Sequence, residues 1–149
     1  MALHILALVV LGLMCGSELN VAAIAHPILN RQTLDVHIPV RSSFAVLLGR
    51  VMPFWMGGST LLNLLVLLPF GRLSGSAWNV AALASAIQVL AVLFSLVAAV
   101  PINNRIAKWT VKSLPETWKA MEQRWDLYHS FRTGALIIAF ALLAVSLRA

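Results

Sequence analysis

Four long runs of apolar residues divide the chain. They lie at about residues 3–26, 50–70, 78–101 and 128–147, and charged or turn-forming residues separate them. Each run is close to the ~20 residues that a helix needs to cross a hydrocarbon core, and each is too long and continuous for a barrel strand. Because only helices and closed barrels satisfy the backbone in lipid, the pattern predicts an all-α, integral membrane four-helix bundle.

The connection between the third and fourth runs is itself expected to be helical. Residues 103–114 can form a short amphipathic helix, Pro115 interrupts it, and residues 116–132 form a helix that runs into the last span. Trp109 and Trp118 in this connection are typical of side chains that anchor a protein at headgroup level. The pattern therefore predicts an amphipathic helical segment between spans three and four.

The composition leaves little room for anything except a membrane domain. Of 149 residues, 60% are hydrophobic and only 11% are charged, so residues 1–149 are expected to form one transmembrane domain in contact with the lipid bilayer. Four short spans enclose little volume, so a site shared between the subunits of a homo-oligomer stays open. The single Cys15 excludes an internal disulfide.

The basic residues predict how the chain is oriented. Lys and Arg number 11 against five acidic residues, an excess that in a membrane protein indicates topology and lipid contact rather than nucleic-acid binding. Nine of the 11 lie in the first and third connections, and the other two are Arg72 and Arg148. The positive-inside rule then places both termini outside and both long connections in the cytoplasm of a bacterial inner or plasma membrane.

Glu18 is an unexpected carboxylate inside the first apolar run. A charge at membrane depth costs roughly 2.5–3.5 kcal/mol even on a lenient scale, so it is retained where a partner or a function compensates. At ~1.5 Å per residue, Glu18 lies ~22–24 Å from the outer boundary and Arg132, counted back from Arg148, lies ~24 Å in. Both groups fall in one layer near the cytoplasmic leaflet, which predicts an ion pair if the first and last spans are neighbours.

A polar face continues along the last helix. Trp125, His129 and Arg132 recur at i, i+4 and i+7 and therefore share one side of the helix. Asp126 precedes His129 by three positions and is expected to orient its ring. This face combines the indole ring of Trp125, the imidazole of His129 and the guanidinium of Arg132. Together these groups can bind and polarise a flat ligand.

Two amide pairs occupy the middle spans. Pro101 is expected to end the third span, so that Asn103 and Asn104 either point toward the layer of Glu18 or serve as ordinary helix-end residues. Asn63 and Gln88 fall near mid-membrane on spans two and three. We expect them to hydrogen-bond across the helix interface.

No metal motif of recognised spacing is present. The histidines at 4, 26, 37 and 129 form no HExxH sequence and no i, i+4 pair, and neither a P-loop nor GxGxxG occurs. His26 is open to two interpretations, a ligand or an interfacial side chain. A haem or copper bound by His129 with His26 or Glu18 therefore stays open as an alternative.

Four segments of the chain resemble one family. Residues 16–19 (GSEL), 50–53 (RVMP), 101–105 (PINNR) and 124–133 (RWDLYHSFRT) are similar to the anthrone-oxygenase-like family of small integral membrane proteins. The resemblance covers almost the whole chain, and the last two motifs are its specific part.

The resemblance implies an activity. Characterised fungal and actinobacterial relatives oxidise anthrones to anthraquinones in aromatic polyketide pathways, with dioxygen and without a conventional flavin or haem. Carried over to this chain, it implies a catalytic set of Glu18, Asn103, Asn104, His129 and Arg132. It also implies that Trp125 lines the reaction site, and we expect Trp125, together with Asp126 and Arg105 of the same motifs, to bind the substrate.

The chemistry suits an apolar, enolisable aromatic substrate. His129 or Glu18 is a candidate base for the acidic C–H of an anthrone, and Arg132 or the two asparagine amides are candidates to stabilise the oxyanion. Two other classes stay open: a metal- or haem-binding membrane oxidoreductase, and a non-catalytic helper bundle in which the Glu18 ion pair is structural.

Overall fold

Four long helices make up most of the computed structural model, which describes residues 1–71 and 73–148. They are α1 (Ala2–Leu29), α2 (Leu34–Val66), α3 (Gly75–Ile106) and α4 (Trp118–Val145), and each is long and apolar enough to cross a membrane. Within the described residues there is no strand. The predicted all-α, integral membrane four-helix bundle is confirmed.

The helices close into a bundle in which each packs most extensively against two neighbours. The most extensive contact joins α3 and α4. It follows from the small side chains of Ala81, Ala84 and Ala91, which are buried along one side of α3 and let Leu136 and Leu143 of α4 approach closely. Helix α1 also contacts α4, so the first and last spans are neighbours, as the predicted ion pair between Glu18 and Arg132 requires.

The second helix is longer than the sequence pattern suggested. It begins at Leu34, well before the predicted residue 50. Its first half contains His37 and Arg41, whose polarity weakens the apolar signal, yet both side chains are buried against Glu122 and Asp126 of α4. The start of the span was therefore wrong because charges paired inside the protein were taken as charges exposed in a loop.

The third helix does not end at Pro101, contrary to prediction. It continues to Ile106, after a π-helical stretch at Ser95–Ala99. A proline lacks the N–H of the i→i−4 bond and its ring clashes with the preceding turn, and the wider π turn absorbs both defects. The same device recurs in α1, where a π stretch at Val21–Ala25 precedes Pro27.

The connection from α3 to α4 is mostly not helical. Residues 103–106 are the last turn of α3, and beyond them the segment up to Pro115 contains one 3-10 turn, Val111–Ser113. The amphipathic helix predicted for residues 103–114 is therefore wrong, whereas the helix that runs into the last span is confirmed and begins at Trp118.

Trp109 does not anchor the protein at the headgroups. It is buried in a small apolar cluster with Ile38, Ile106 and Trp125, and its ring centroid lies 6.4 Å from that of Trp118. Arg72, one of the two basic residues predicted to face the outside, lies outside the described residues. The orientation of the bundle in the membrane stays a prediction.

A chain of polar side chains joins α2 to α3 at mid-membrane. Asn63 Nδ2 donates a hydrogen bond to Gln88 Oε1, as predicted, and Gln88 Nε2 donates to Ser59 Oγ at 3.0 Å. All three side chains are fully buried. Their pairing holds the two helices in register without a charge.

Replacing Asn63 or Gln88 by leucine tests this pairing. Each single substitution leaves a buried polar partner unsatisfied, whereas Asn63→Leu with Gln88→Leu removes both. We expect the double variant to lose less stability than the two single losses combined, with a coupling of about 0.6 kcal/mol and no more than about 1.7 kcal/mol. Reversible unfolding of the four proteins in mixed micelles measures it, and strictly additive losses would contradict the prediction.

Candidate functional site

A cavity of about 260 Å³ lies among the four helices. Leu48, Met52 and Met56 of α2 and Val92 and Leu96 of α3 supply much of its apolar wall. The cavity also brings together six residues from the predicted catalytic and substrate-binding sets: Glu18, Asn103, Asn104, Trp125, His129 and Arg132.

Glu18 and Arg132 form the predicted ion pair. Glu18 Oε2 accepts hydrogen bonds from Arg132 Nε at 3.0 Å and from Arg132 Nη2 at 2.5 Å, and Glu18 is only 1% exposed. Arg132 Nη1 donates to Ser95 Oγ at 3.4 Å, so every nitrogen of the guanidinium has a partner. Glu18 Oε1 accepts no hydrogen bond from residues 1–71 and 73–148, which makes it the uncommitted oxygen of the pair.

Both ring nitrogens of His129 are engaged. Nε2 donates to the backbone carbonyl of Glu18 at 3.1 Å, and Nδ1 accepts from Arg132 Nη2 at 2.9 Å. This pattern corresponds to the neutral imidazole protonated on Nε2. The ring also lies flat on Trp125, with centroids 4.8 Å apart and an interplanar angle of 10°. His129 is therefore held in one orientation by partners on three sides.

Asp126 does not orient His129, contrary to prediction. Its Oδ1 accepts a hydrogen bond from Arg41 Nη2 at 2.5 Å and lies 3.1 Å from His26 Nδ1. The extension of α2 brings the Arg41 guanidinium to Asp126, and the orienting role falls to Arg132. Asp126 and the exposed Arg105 do not line the cavity, so Trp125 alone of the predicted substrate-binding set does.

Sequence reasoning missed Arg41, which is only 2% exposed. Arg41 Nε lies 3.2 Å from Glu122 Oε1, and the same oxygen is 2.7 Å from His37 Nε2. A signal was available in the spacing. His37 and Arg41 are four residues apart on α2, and Glu122 and Asp126 are four apart on α4, so each helix presents a stripe of one polarity to the other.

Asn103 ties the end of α3 to α2. Its Nδ2 donates to the carbonyl of Ala45 at 2.9 Å. A Cβ on Gly49 would lie 3.1 Å from that nitrogen, so glycine permits the close approach. Pro53, four residues further on, has no N–H to donate to the Gly49 carbonyl. Backbone and amide groups of α2 and α3 thus meet at the polar end of the cavity.

The cavity opens sideways between α2 and α3. Its lining residues that are also exposed all belong to these two helices: Gly49, Pro53, Gly57, Leu96 and Asn104. The three on α2 recur every four residues and form one stripe. In a membrane bundle these helix faces contact lipid, so we expect the mouth to face the bilayer. The prolyl and glycyl positions leave it free of bulky side chains on the α2 side.

The described residues contain no group of three or more His, Cys, Asp or Glu side chains arranged to hold a metal ion. His26 and His129 lie near each other, with ring centroids 5.7 Å apart. A metal on His129 would have to replace the hydrogen bond at Nε2 or at Nδ1. His26, His129 and Glu18 are the side chains that such a metal would use as ligands.

Comparison with known proteins gives one family match. The family described as anthrone oxygenase matches residues 41–142, which is more than half of the chain. No curated protein and no solved structure matches. The matched range contains all of the cavity-lining polar residues named above except Glu18, which lies before it in α1.

Replacing Arg132 by methionine tests the buried ion pair. The substitution leaves the Glu18 carboxylate buried without a counter-ion, and we expect a loss of roughly 3–5 kcal/mol in the free energy of unfolding. Adding Glu18→Leu removes the uncompensated charge, so the double variant should recover much of the loss. Unfolding in mixed micelles compares the three proteins, and a double variant that is less stable than Arg132→Met would contradict this account.

Proposed function

The chain belongs to the anthrone oxygenase family, and from this we propose that it is a membrane-embedded oxygenase that uses dioxygen to oxidise an apolar, enolisable aromatic ketone of the anthrone type. The supporting observation is the apolar cavity with a buried carboxylate that has one uncommitted oxygen. Its volume of about 260 Å³ exceeds the ~150 Å³ that accommodates benzene. It is smaller than most sites for drug-sized ligands. A compact fused-ring molecule suits this space.

In this proposal Glu18 is the general base. Both nitrogens of His129 already hold hydrogen bonds, whereas Glu18 Oε1 accepts none from the described residues. Arg132 supplies the counter-charge for the Glu18 carboxylate and fixes its position, and His129 in turn fixes Arg132. A positioned base of this kind contributes about 10²–10⁴-fold to a proton transfer. The methionines of α2 that line the cavity, Met52 and Met56, supply an apolar surface on which a flat ring system packs.

The proposed reaction needs no oxidant or reductant other than dioxygen. The methylene C–H proton moves to Glu18, and the electron pair of that bond delocalises into the ring carbonyl to form an enolate. The enolate passes one electron to dioxygen, and the resulting carbon radical and superoxide combine to a peroxide that is protonated. Loss of the second C–H proton with cleavage of the O–O bond yields the new carbonyl. The hydroxide released is protonated to water.

The position of the mouth fits a substrate of this class. Fused aromatic ketones partition into lipid, and a mouth between α2 and α3 is reached from the bilayer without passage through water. The buried reaction site then receives its substrate already desolvated. A water-soluble substrate would need an opening at the end of the bundle instead.

Glu18→Gln tests the assignment of the base. Glutamine keeps the shape of the side chain and an acceptor for Arg132, but it cannot take the C–H proton. We expect the rate of dioxygen consumption with anthrone to fall at least ~10²-fold. Purified protein in detergent is assayed with an oxygen electrode and by the absorbance of the anthraquinone formed.

The matched control is Glu116→Gln, the same substitution at an exposed glutamate before α4, which should retain the wild-type rate. An active Glu18→Gln variant would remove Glu18 from the role of base. His129→Ala should also lose activity, because it frees Arg132 to move. Wild-type protein that consumes no dioxygen with anthrone would favour the non-catalytic helper, in which the Glu18 ion pair is structural.

A haem or copper centre is the alternative for dioxygen activation, and the observation that bears on it is the 5.7 Å separation of the His26 and His129 ring centroids. An absorption spectrum and metal analysis of the active protein distinguish the two versions. The enolate mechanism predicts no Soret band, less than one copper or iron per chain, and turnover that survives a chelator. A stoichiometric metal whose removal abolishes turnover would replace it.

A further inference from the structure

A small recess of about 10 Å³ adjoins the main cavity. Leu48, Asn103 and Trp125 line both spaces, so the recess continues from the polar end of the cavity. Arg41 and His26 line the recess but not the main cavity. A space of ~10–15 Å³ is about the least that holds one water molecule. The recess therefore has room for one heavy atom of a ligand and no room for a ring.

Three buried polar atoms of residues that line the recess form no hydrogen bond within the described residues: His26 Nδ1, which lies 3.1 Å from Asp126 Oδ1, and the donors Trp125 Nε1 and Arg41 Nη1. Trp125 Nε1 and Arg41 Nη1 are both buried, and neither forms a hydrogen bond with any part of the chain that the structure describes. The two residues are 6% and 2% exposed. Buried donors without acceptors are uncommon and costly, and each calls for an acceptor that occupies the site during function.

The Arg41 guanidinium is fixed by its other two nitrogens. Nη2 donates to Asp126 at 2.5 Å, and Nε lies 3.2 Å from Glu122. Its Cζ lies 4.8 Å from the centre of the Trp125 ring, a cation–π distance. Nη1 is thus held next to the indole, and the carboxylates of Glu122 and Asp126 hold the other two nitrogens. Such a pair suits a neutral acceptor that gains negative charge during reaction.

Most other donors at the polar end of the cavity are already used. Every nitrogen of Arg132 has a partner in Glu18, His129 or Ser95. Asn103 Nδ2 donates to Ala45. Asn104 is exposed at the mouth. His26 Nδ1 also forms no hydrogen bond within residues 1–71 and 73–148, but the Asp126 carboxylate lies 3.1 Å from it. Arg41 Nη1 and Trp125 Nε1 are therefore the buried donors beside the recess for which the described residues supply no acceptor.

We propose that the recess is a subsite for one carbonyl oxygen of the ligand, which accepts hydrogen bonds from Arg41 Nη1 and Trp125 Nε1. The proposal rests on the proposed function for the identity of the ligand, an aromatic ketone. As the C–H proton leaves, this carbonyl oxygen becomes the enolate oxygen, and a fixed cation with a second N–H donor stabilises the charge where it develops. The oxyanion-binding role thus passes from Arg132 and the asparagine amides to Arg41 and Trp125.

A binding experiment tests the subsite without turnover. Anthraquinone and anthracene share one three-ring shape, but only anthraquinone has carbonyl oxygens. Each is titrated into nanodiscs with and without the protein, so that partitioning into lipid is subtracted. We expect wild-type protein to bind anthraquinone at least about tenfold more tightly than anthracene, because a hydrogen bond to a charged donor is among the stronger ones.

Trp125→Phe is the first variant, because phenylalanine keeps a ring stacked on His129 and lacks only the donor and part of the indole. It should lose about three- to tenfold of the preference for anthraquinone. The matched control is Trp109→Phe, the same change at a buried tryptophan that lines neither space, and it should keep the full preference. Arg41→Lys keeps the charge and removes Nη1, so it should also lose the preference for anthraquinone. This variant replaces Trp125→Phe in the test if Trp125→Phe fails to fold.

The proposal is overturned if wild-type protein binds the two compounds equally or binds neither, or if Trp125→Phe and Trp109→Phe behave alike. Its failure is distinguishable from failure of the proposed function. Dioxygen consumption without a preference for the ketone would leave the oxygenase and remove the subsite. A preference for the ketone without dioxygen consumption would leave a ketone-binding recess and remove the oxygenase.

Discussion

The buried ion pair between Glu18 and Arg132 is the interaction on which the rest of the site depends. Each of these charges alone would be costly among apolar helices, and each is compensated only when α1 and α4 are adjacent and in one register. The same register brings the Glu18 carbonyl to His129 and lays His129 on Trp125. A single electrostatic requirement therefore sets the packing of two helices and the orientation of the imidazole and indole rings.

Trp125 lies between two networks of charged side chains, which differ in whether every nitrogen of the arginine has a hydrogen-bond partner. On one face it stacks on His129, whose partners belong to the Glu18 ion pair, and near its ring lies Arg41, whose partners are on α4. The first network has used every nitrogen of its arginine, whereas the second retains one. Arg41 reaches this position because α2 continues as a helix well beyond its apolar part. The polar start of α2 thus contributes Arg41 to the recess beside the cavity.

The sequence predicted much of this arrangement, and its failures have physical causes. Helix rise alone placed Glu18 and Arg132 in one layer, and the pairing of Asn63 with Gln88 followed from their shared depth. The continuation of α3 past Pro101 was not predictable from the proline itself, because proline usually ends or kinks a helix and the π turn before it has no clear sequence signature. Arg41 was missed for a different reason: a hydropathy pattern cannot distinguish an exposed charge from one that is neutralised on a neighbouring helix. The catalytic roles rest on the resemblance and on local chemistry, since spacing brings side chains together without assigning their function.

The sideways mouth between α2 and α3 changes what concentration means for this protein. If substrate arrives from the bilayer, occupancy of the cavity depends on the mole fraction of substrate in the lipid, not on its molarity in water. At a fixed total amount of substrate, added lipid or detergent dilutes it in two dimensions and lowers occupancy without any change in affinity. A Michaelis constant in aqueous units then describes the vesicle preparation as much as the protein. Only a constant expressed as the mole fraction of substrate in the lipid describes the cavity itself.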